Sequence, residues 1–98
     1  MDKLYNLQGR VTLFGLSKCA TCKAAQLFLE KNGLEYTYIV MDELSELERA
    51  RAEQCLAGVN PYKTYPTIVF GDVSNVSIGF NREKVKAALQ RMLDGESA

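Results

Sequence analysis

Two cysteines three positions apart, in Ser17-Lys18-Cys19-Ala20-Thr21-Cys22-Lys23, are the residues whose type and spacing suggest covalent chemistry. They fall where a β-rich run ending at Gly15 gives way to helical periodicity. A Cys-x-x-Cys at a strand-to-helix turn opening a βαβ unit reads as a redox motif. On that placement the second sulfur lies one helical turn behind the first, within disulfide reach. The first sits on the exposed rim, beside the unpaired backbone N–H groups of the helix start. The partial positive charge there, with Lys18 and Lys23 adjacent, favours a Cys19 thiolate and lowers its pKa from ~8.5 towards ~3.5–7.5. About 3% of a thiol is ionised at pH 7 when its pKa is ~8.5, and about half when it is ~7, so the shift decides reactivity. Cys19 is therefore the expected nucleophile on a disulfide. Cys22 is the expected resolving thiol, attacking Cys19 and leaving a Cys19–Cys22 bond for an external donor to reduce.

Other readings of the cysteines compete with this one. Half of a zinc or iron–sulfur site would need a second ligand pair, and Cys55 alone, in a chain of 98 residues without histidine, cannot complete four ligands. Purely structural cysteines would gain nothing from a helix start. Cys55, beside Leu56 on the second predicted helix, reads as a packing residue. The absence of histidine also excludes a Ser-His-Asp triad and an imidazole base.

The rest of the composition narrows the partners. Twelve Lys+Arg against twelve Asp+Glu, interspersed, leave no electrostatic footprint for nucleic acid or an anionic membrane. No segment approaches the roughly 20 apolar residues of a membrane span, and the opening Met1-Asp2-Lys3-Leu4-Tyr5-Asn6 lacks the order of a signal peptide. A cytoplasmic protein is expected, which also suits the odd cysteine count. Apolar residues make up 47% of the chain, enough for one compact domain over residues 1–98.

The elements that must position Cys19 and Cys22 follow from periodicity. Val11–Phe14 predicts a first strand after a polar lead. Ala24, Leu27 and Phe28, broadened by Ala25 and Leu29, predict a helix from about Thr21 to Asn32, with Gly33 as its stop. Tyr36–Val40 predicts a second strand, and strand, helix and strand have the size of a right-handed βαβ crossover, which makes the two strands parallel. Residues 43–57 predict an exposed helix with Glu46/Arg49 and Glu48/Arg51 pairs and with Leu44 and Leu47 inward. Gly58–Lys63 reads as a loop. Thr67–Phe70 and Val73–Ile78, split by Gly71-Asp72, read as a hairpin whose second strand begins late. Asn81 caps a last helix in which Val85, Ala88, Leu89 and Met92 share a face, ending near Asp94-Gly95 with frayed residues beyond. The order βαβαββα implies a four-stranded mixed α/β sheet flanked by three helices.

Pro66 in Thr64-Tyr65-Pro66-Thr67 cannot donate to a ladder and belongs at the start of the third strand. The cysteine pair after strand one, the Thr64-Tyr65-Pro66 triplet before strand three, and Gly79 before the last helix together resemble the glutaredoxin family, from about Val11 to Leu93. The family's Cys-Pro-Tyr-Cys site matches Cys19-Ala20-Thr21-Cys22, and its Thr-Val-Pro motif matches Thr64-Tyr65-Pro66. The resemblance implies a thioredoxin-like fold and a cis Tyr65–Pro66 peptide beside Cys19, with the Tyr65 backbone pairing with substrate like an added strand. It also implies a substrate groove of Lys18, Tyr65, Pro66, Thr67, Gly79, Phe80 and Asn81. Two positions depart from the family pattern. Gly79-Phe80-Asn81-Arg82 stands where Gly-Gly, a small residue and Asp are common, so Arg82 reverses a charge that would receive the glutamyl ammonium of glutathione. The lysine usual three residues before the first cysteine falls on Leu16, leaving Lys18 to serve. Phe80 also has a plain reading, as an apolar contact securing the last helix.

The resemblance thus implies a small thiol–disulfide oxidoreductase, acting in electron transfer on a protein or small-molecule disulfide. Its donor is glutathione, as a co-substrate, or a thioredoxin-reductase-type flavin enzyme, since the chain is also similar to glutaredoxin-like proteins that act as small thioredoxins. No resident cofactor or metal is expected, and a monomer is. The competing functions are a non-catalytic redox sensor or interaction module of the same fold, resembling regulators related to arsenate reductases, and a dimer bridging an iron–sulfur cluster through Cys19.

Overall fold

A computed structural model describes residues 11–97; the polar lead before Val11 and the terminal Ala98 lie outside the described residues. Four strands, β1 (Val11–Gly15), β2 (Tyr36–Val40), β3 (Thr67–Phe70) and β4 (Val76–Ile78), form one sheet in the order β2-β1-β3-β4. β1 and β2 are parallel, with Gly15 opposite Val40, and are joined through α1 (Ala20–Lys31) as the βαβ spacing requires. β3 runs antiparallel to β1 and to β4. α2 (Glu46–Ala57) follows β2, and α3 (Arg82–Ser97) follows β4. This is the thioredoxin-like fold.

The sheet carries a core on each face because side chains alternate along its strands. Val11 and Leu13 of β1, with Ile68 and Phe70 of β3, bury against Ala25 and Leu29 of α1 and Val85, Ala88 and Leu89 of α3. Phe14 and Val69 point the other way, onto Ile39, Met41 and the α2 residues Ala52 and Leu56. α1 therefore lies beside α3, and α2 lies alone on the opposite face.

The helix ends are set by local chemistry. α1 closes in a Schellman motif: the Gly33 N–H donates to the Glu30 carbonyl and the Leu34 N–H to that of Leu29, each at 3.0 Å. Asn81 Oδ1 accepts the Glu83 and Lys84 N–H groups at 3.0 and 3.2 Å, capping α3. α3 continues through Gly95 to Ser97 instead of stopping near Asp94.

The inward faces of α1 and α2 differ from those the periodicity predicts. Leu27 is 56% exposed, because it stands two residues from both Ala25 and Leu29, and that step turns about 200° around a helix. α2 begins at Glu46, not at residue 43: Met41–Glu43 form a 3₁₀ turn, Leu44 is extended, and Ser45 is the cap. Within α2, Leu47 stands about 140° around the helix from the buried Ala52, and Leu47 is 65% exposed. β4 begins at Val76 because Asp72 folds the preceding residues into a turn, its carbonyl accepting the Asn75 N–H and its carboxylate the Ser74 N–H. Among the described residues no helix is long and apolar enough to cross a membrane.

Candidate active site

Cys19 is the last residue before α1, extended at φ −145°, ψ 111°, and its side chain is the helix cap: Sγ accepts the Cys22 N–H at 3.2 Å. The Thr21 hydroxyl lies 3.4 Å from the same sulfur. Cys19 and Cys22 are joined as a disulfide, with Cα atoms 5.2 Å apart. Their environments differ. Cys19 is half-buried at the surface, whereas Cys22 is fully buried. No acidic residue occupies the first turn of α1, while Lys18 and Lys23 are exposed on either side of the pair.

The room for the inner sulfur comes from Gly15. A Cβ at that position would lie 2.9 Å from Cys22 Sγ and 2.9 Å from the Tyr38 ring, so any side chain would push one of them away. The segment between β1 and α1 is then tied to β2 and the turn beyond it. The Tyr38 hydroxyl donates to the Leu16 carbonyl at 2.5 Å. The Ser17 N–H and hydroxyl donate to the two carboxylate oxygens of Asp42 at 2.9 and 2.5 Å. Those bonds, that of the Ser17 hydroxyl first and its N–H second, pull the Asp42 carboxyl below its ordinary range. Burial, followed by the charges of Asp42 and Glu43, pushes the Tyr38 phenol up, which keeps it a proton donor.

The Tyr65–Pro66 peptide is cis. Pro66 is buried, and its carbonyl accepts the Gly79 N–H at 2.7 Å, joining the approach to β3 with the exit from β4. Gly79 holds φ +78°, a conformation that side chains resist, with open space where a Cβ would point. The Thr67 side chain is inside the molecule, not on the groove: its hydroxyl donates to the Thr64 carbonyl at 2.7 Å and accepts from Asn60 Nδ2 at 3.0 Å. Asn60 is fully buried and also reaches Thr64 Oγ1 at 3.0 Å, so it organises the turn that delivers Tyr65 and Pro66. Tyr65 packs against the α2-side core, its phenol pushed up by burial, and its backbone makes no hydrogen bond among the described residues.

Phe80 meets Phe28 of α1 edge-on, ring centres 6.1 Å apart, the securing contact its position suggested. Asn81 spends its side-chain oxygen on the α3 cap. Cys55 is a half-buried thiol packed against the α2-side core.

Gly15, Ser17, Tyr38, Asp42 and Asn60 were not singled out by sequence reasoning. The Ser17–Asp42 clamp had a signal, visible only with the strand register in hand. Gly15 pairs with Val40, so the residues two further along each chain come out adjacent.

A cysteine pair capping the first helix and a cis-proline entering the third strand, on this sheet, define a domain of the thioredoxin superfamily. The glutaredoxin family model matches residues 11–74, and the chain belongs to the glutaredoxin family. The glutaredoxin of Archaeoglobus fulgidus superposes with a TM-score of 0.81 at 27% identity, covering 91% of this chain and 95% of its own. The methanoredoxin of Methanosarcina acetivorans does so with a TM-score of 0.75 at 28% identity, covering 84% and 85%. The glutaredoxin of Methanosarcina mazei gives 0.75 at 27%, covering 83% and 78%. No curated protein matches the chain in sequence. Gly79–Arg82, where the chain departs from the family pattern, lies beyond the matched residues.

Proposed function

We propose that the protein is a cytoplasmic dithiol thiol–disulfide oxidoreductase. The observation that carries this reading is the unequal placement of two bonded sulfurs, one at the surface on a helix start and one buried behind it. In the reduced form the Cys19 thiolate attacks one sulfur of a substrate disulfide. The other substrate sulfur leaves as a thiolate and takes up a proton. Cys22 then gives up its proton and attacks Cys19 Sγ, releasing the second substrate thiol and closing the Cys19–Cys22 bond. Two electrons have passed to the substrate. A thiol donor, glutathione or a flavin-containing reductase, returns two electrons and two protons.

Several residues support these steps. The Cys22 N–H that reaches Cys19 Sγ is placed to stabilise a thiolate, and the open helix end and Lys18 act in the same direction. With no histidine in the chain, no imidazole assists Cys19. The Tyr65 backbone, without a hydrogen bond among the described residues, supports pairing with an extended substrate segment, with Pro66, Gly79 and Phe80 bounding it and Thr67 and Asn81 holding those bounds.

Replacing Cys22 with Ser tests the mechanism. Incubation with a disulfide substrate is expected to give a Cys19 mixed disulfide seen by intact mass, and no adduct with any disulfide would sink the reading. A coupled assay comparing glutathione plus glutathione reductase with thioredoxin reductase identifies the donor.

A further inference from the structure

Charge is balanced over the whole chain but not along α1 and α3. Between these helices runs a groove of about 380 Å³. Its apolar wall is Leu27, Phe28 and Phe80, and its rim is Lys31 of α1 with Arg82 and Lys86 of α3. Among the described residues no carboxylate lines it. Among the described residues none of these three cations makes an ion pair. Of the acids nearest in sequence, Glu30 accepts the Tyr36 hydroxyl at 2.6 Å, and Glu83, next to Arg82 and three residues before Lys86, forms an ion pair with neither among the described residues. Leu27, exposed where a core residue was expected, sits four residues from both Lys23 and Lys31, so one stripe of α1 reads Lys-Leu-Lys. The near end of the groove is Ala24, two residues past Cys22.

We propose that this groove docks an acidic segment of a partner protein, its carboxylates on Lys31, Arg82 and Lys86 and an aliphatic side chain against Phe28 and Phe80. Charge complementarity selects the occupant. Three cations around an apolar floor, without an ion pair among the described residues, match a peptide carrying both carboxylates and an apolar residue. A membrane or a nucleic acid is drawn by the field of the whole molecule, and this molecule's net charge is zero. That the docked partner is a disulfide client rests on the exchange reading above; the docking itself does not.

The test uses the oxidised, ¹⁵N-labelled protein and a short cysteine-free peptide of alternating glutamate and leucine, followed by NMR titration. The expected result is a set of shift changes confined to residues 24–32 and 80–86. The affinity is expected to fall with salt, and by roughly tenfold in the Lys31→Glu/Lys86→Glu variant, while Lys31→Arg/Lys86→Arg retains it. No shift changes, equal binding by the charge-reversed variant, equal binding of a lysine–leucine peptide, or capture by phosphatidylserine vesicles with the peptide silent would each overturn the proposal. Because neither peptide nor oxidised protein offers a free reacting thiol at the pair, failure here is distinct from failure of the Cys22→Ser trapping experiment.

Discussion

The first turns of α1 and α2 share one geometry. Cys19 Sγ accepts the Cys22 N–H at 3.2 Å, and Ser45 Oγ accepts the Glu48 N–H at 3.2 Å. The surroundings are opposite. α2 carries Glu46 and Glu48 in its first turn, and Glu48 returns to the Ser45 N–H to close a capping box, so its positive end is answered by its own carboxylates. α1 has no acid in its first turn, and lysines stand on both sides. The same backbone device is a structural cap where the helix neutralises itself, and, under the exchange mechanism proposed above, a thiolate site where that end is left open. The motif alone is therefore not the chemistry; the first turn that follows it is half of the site.

Exchanging the cap atoms should break the comparison most strongly. Cys19→Ser keeps a good capping residue, so α1 should persist by circular dichroism, while disulfide reduction falls by about three orders of magnitude or more. At the other helix, Ser45→Ala should cost about 1 kcal/mol of stability in denaturant unfolding and leave the reduction rate unchanged. Making α1 resemble α2 is a smaller change. Ala20→Glu places a carboxylate on the exposed first turn and should weaken the helix-end contribution by about 0.3–1 kcal/mol, raising the Cys19 pKa by about 0.2–0.7. The pH dependence of iodoacetamide alkylation reads that shift directly, and an unchanged profile would mean the helix end does not set the thiolate.

The smallest effect concerns the Ser17–Asp42 clamp before α1. Asp42 is held below its ordinary carboxyl range when folded, so its contribution is complete above the unfolded pKa and is lost as pH falls through the folded one. Wild type should therefore have a higher Tm than Asp42→Asn at pH 6, the gap closing below about pH 4. A gap that widens in acid would show that the clamp does not work through the carboxylate.

Legibility in the sequence followed the range of the interactions involved. Every strand, the Asn81 cap and the position of the cysteine pair rest on neighbours within a few residues, the parallel pairing of β1 and β2 rests on the length of the βαβ unit, and all are observed. The start of the second helix and the side on which Leu47 falls are not legible, because alternating Glu, Arg, Leu and Ala gives little phase information. The exposure of Leu27 is hidden for a related reason: its apolar character says nothing about which side of α1 meets the sheet. Of the expected groove residues, Pro66 and Gly79 are joined by a hydrogen bond between the β3 and β4 junctions, Tyr65 packs on the α2 side and Phe80 against α1, and the side chains of Thr67 and Asn81 hold backbone groups.

By itself the sequence determined the pair Cys19–Cys22, its seat at a strand-to-helix turn and the cationic flanks, since capping, periodicity and charge act over one turn of chain. Tertiary structure alone decided how deep Cys22 lies, that Gly15 must leave room for its sulfur, that Asp42 reaches Ser17 from the turn after the neighbouring strand, and that Lys31 faces Arg82 and Lys86 across a groove. Each of these joins residues far apart in the chain. Packing of the two helices and the register of the parallel strands bring them together, and no local pattern encodes either.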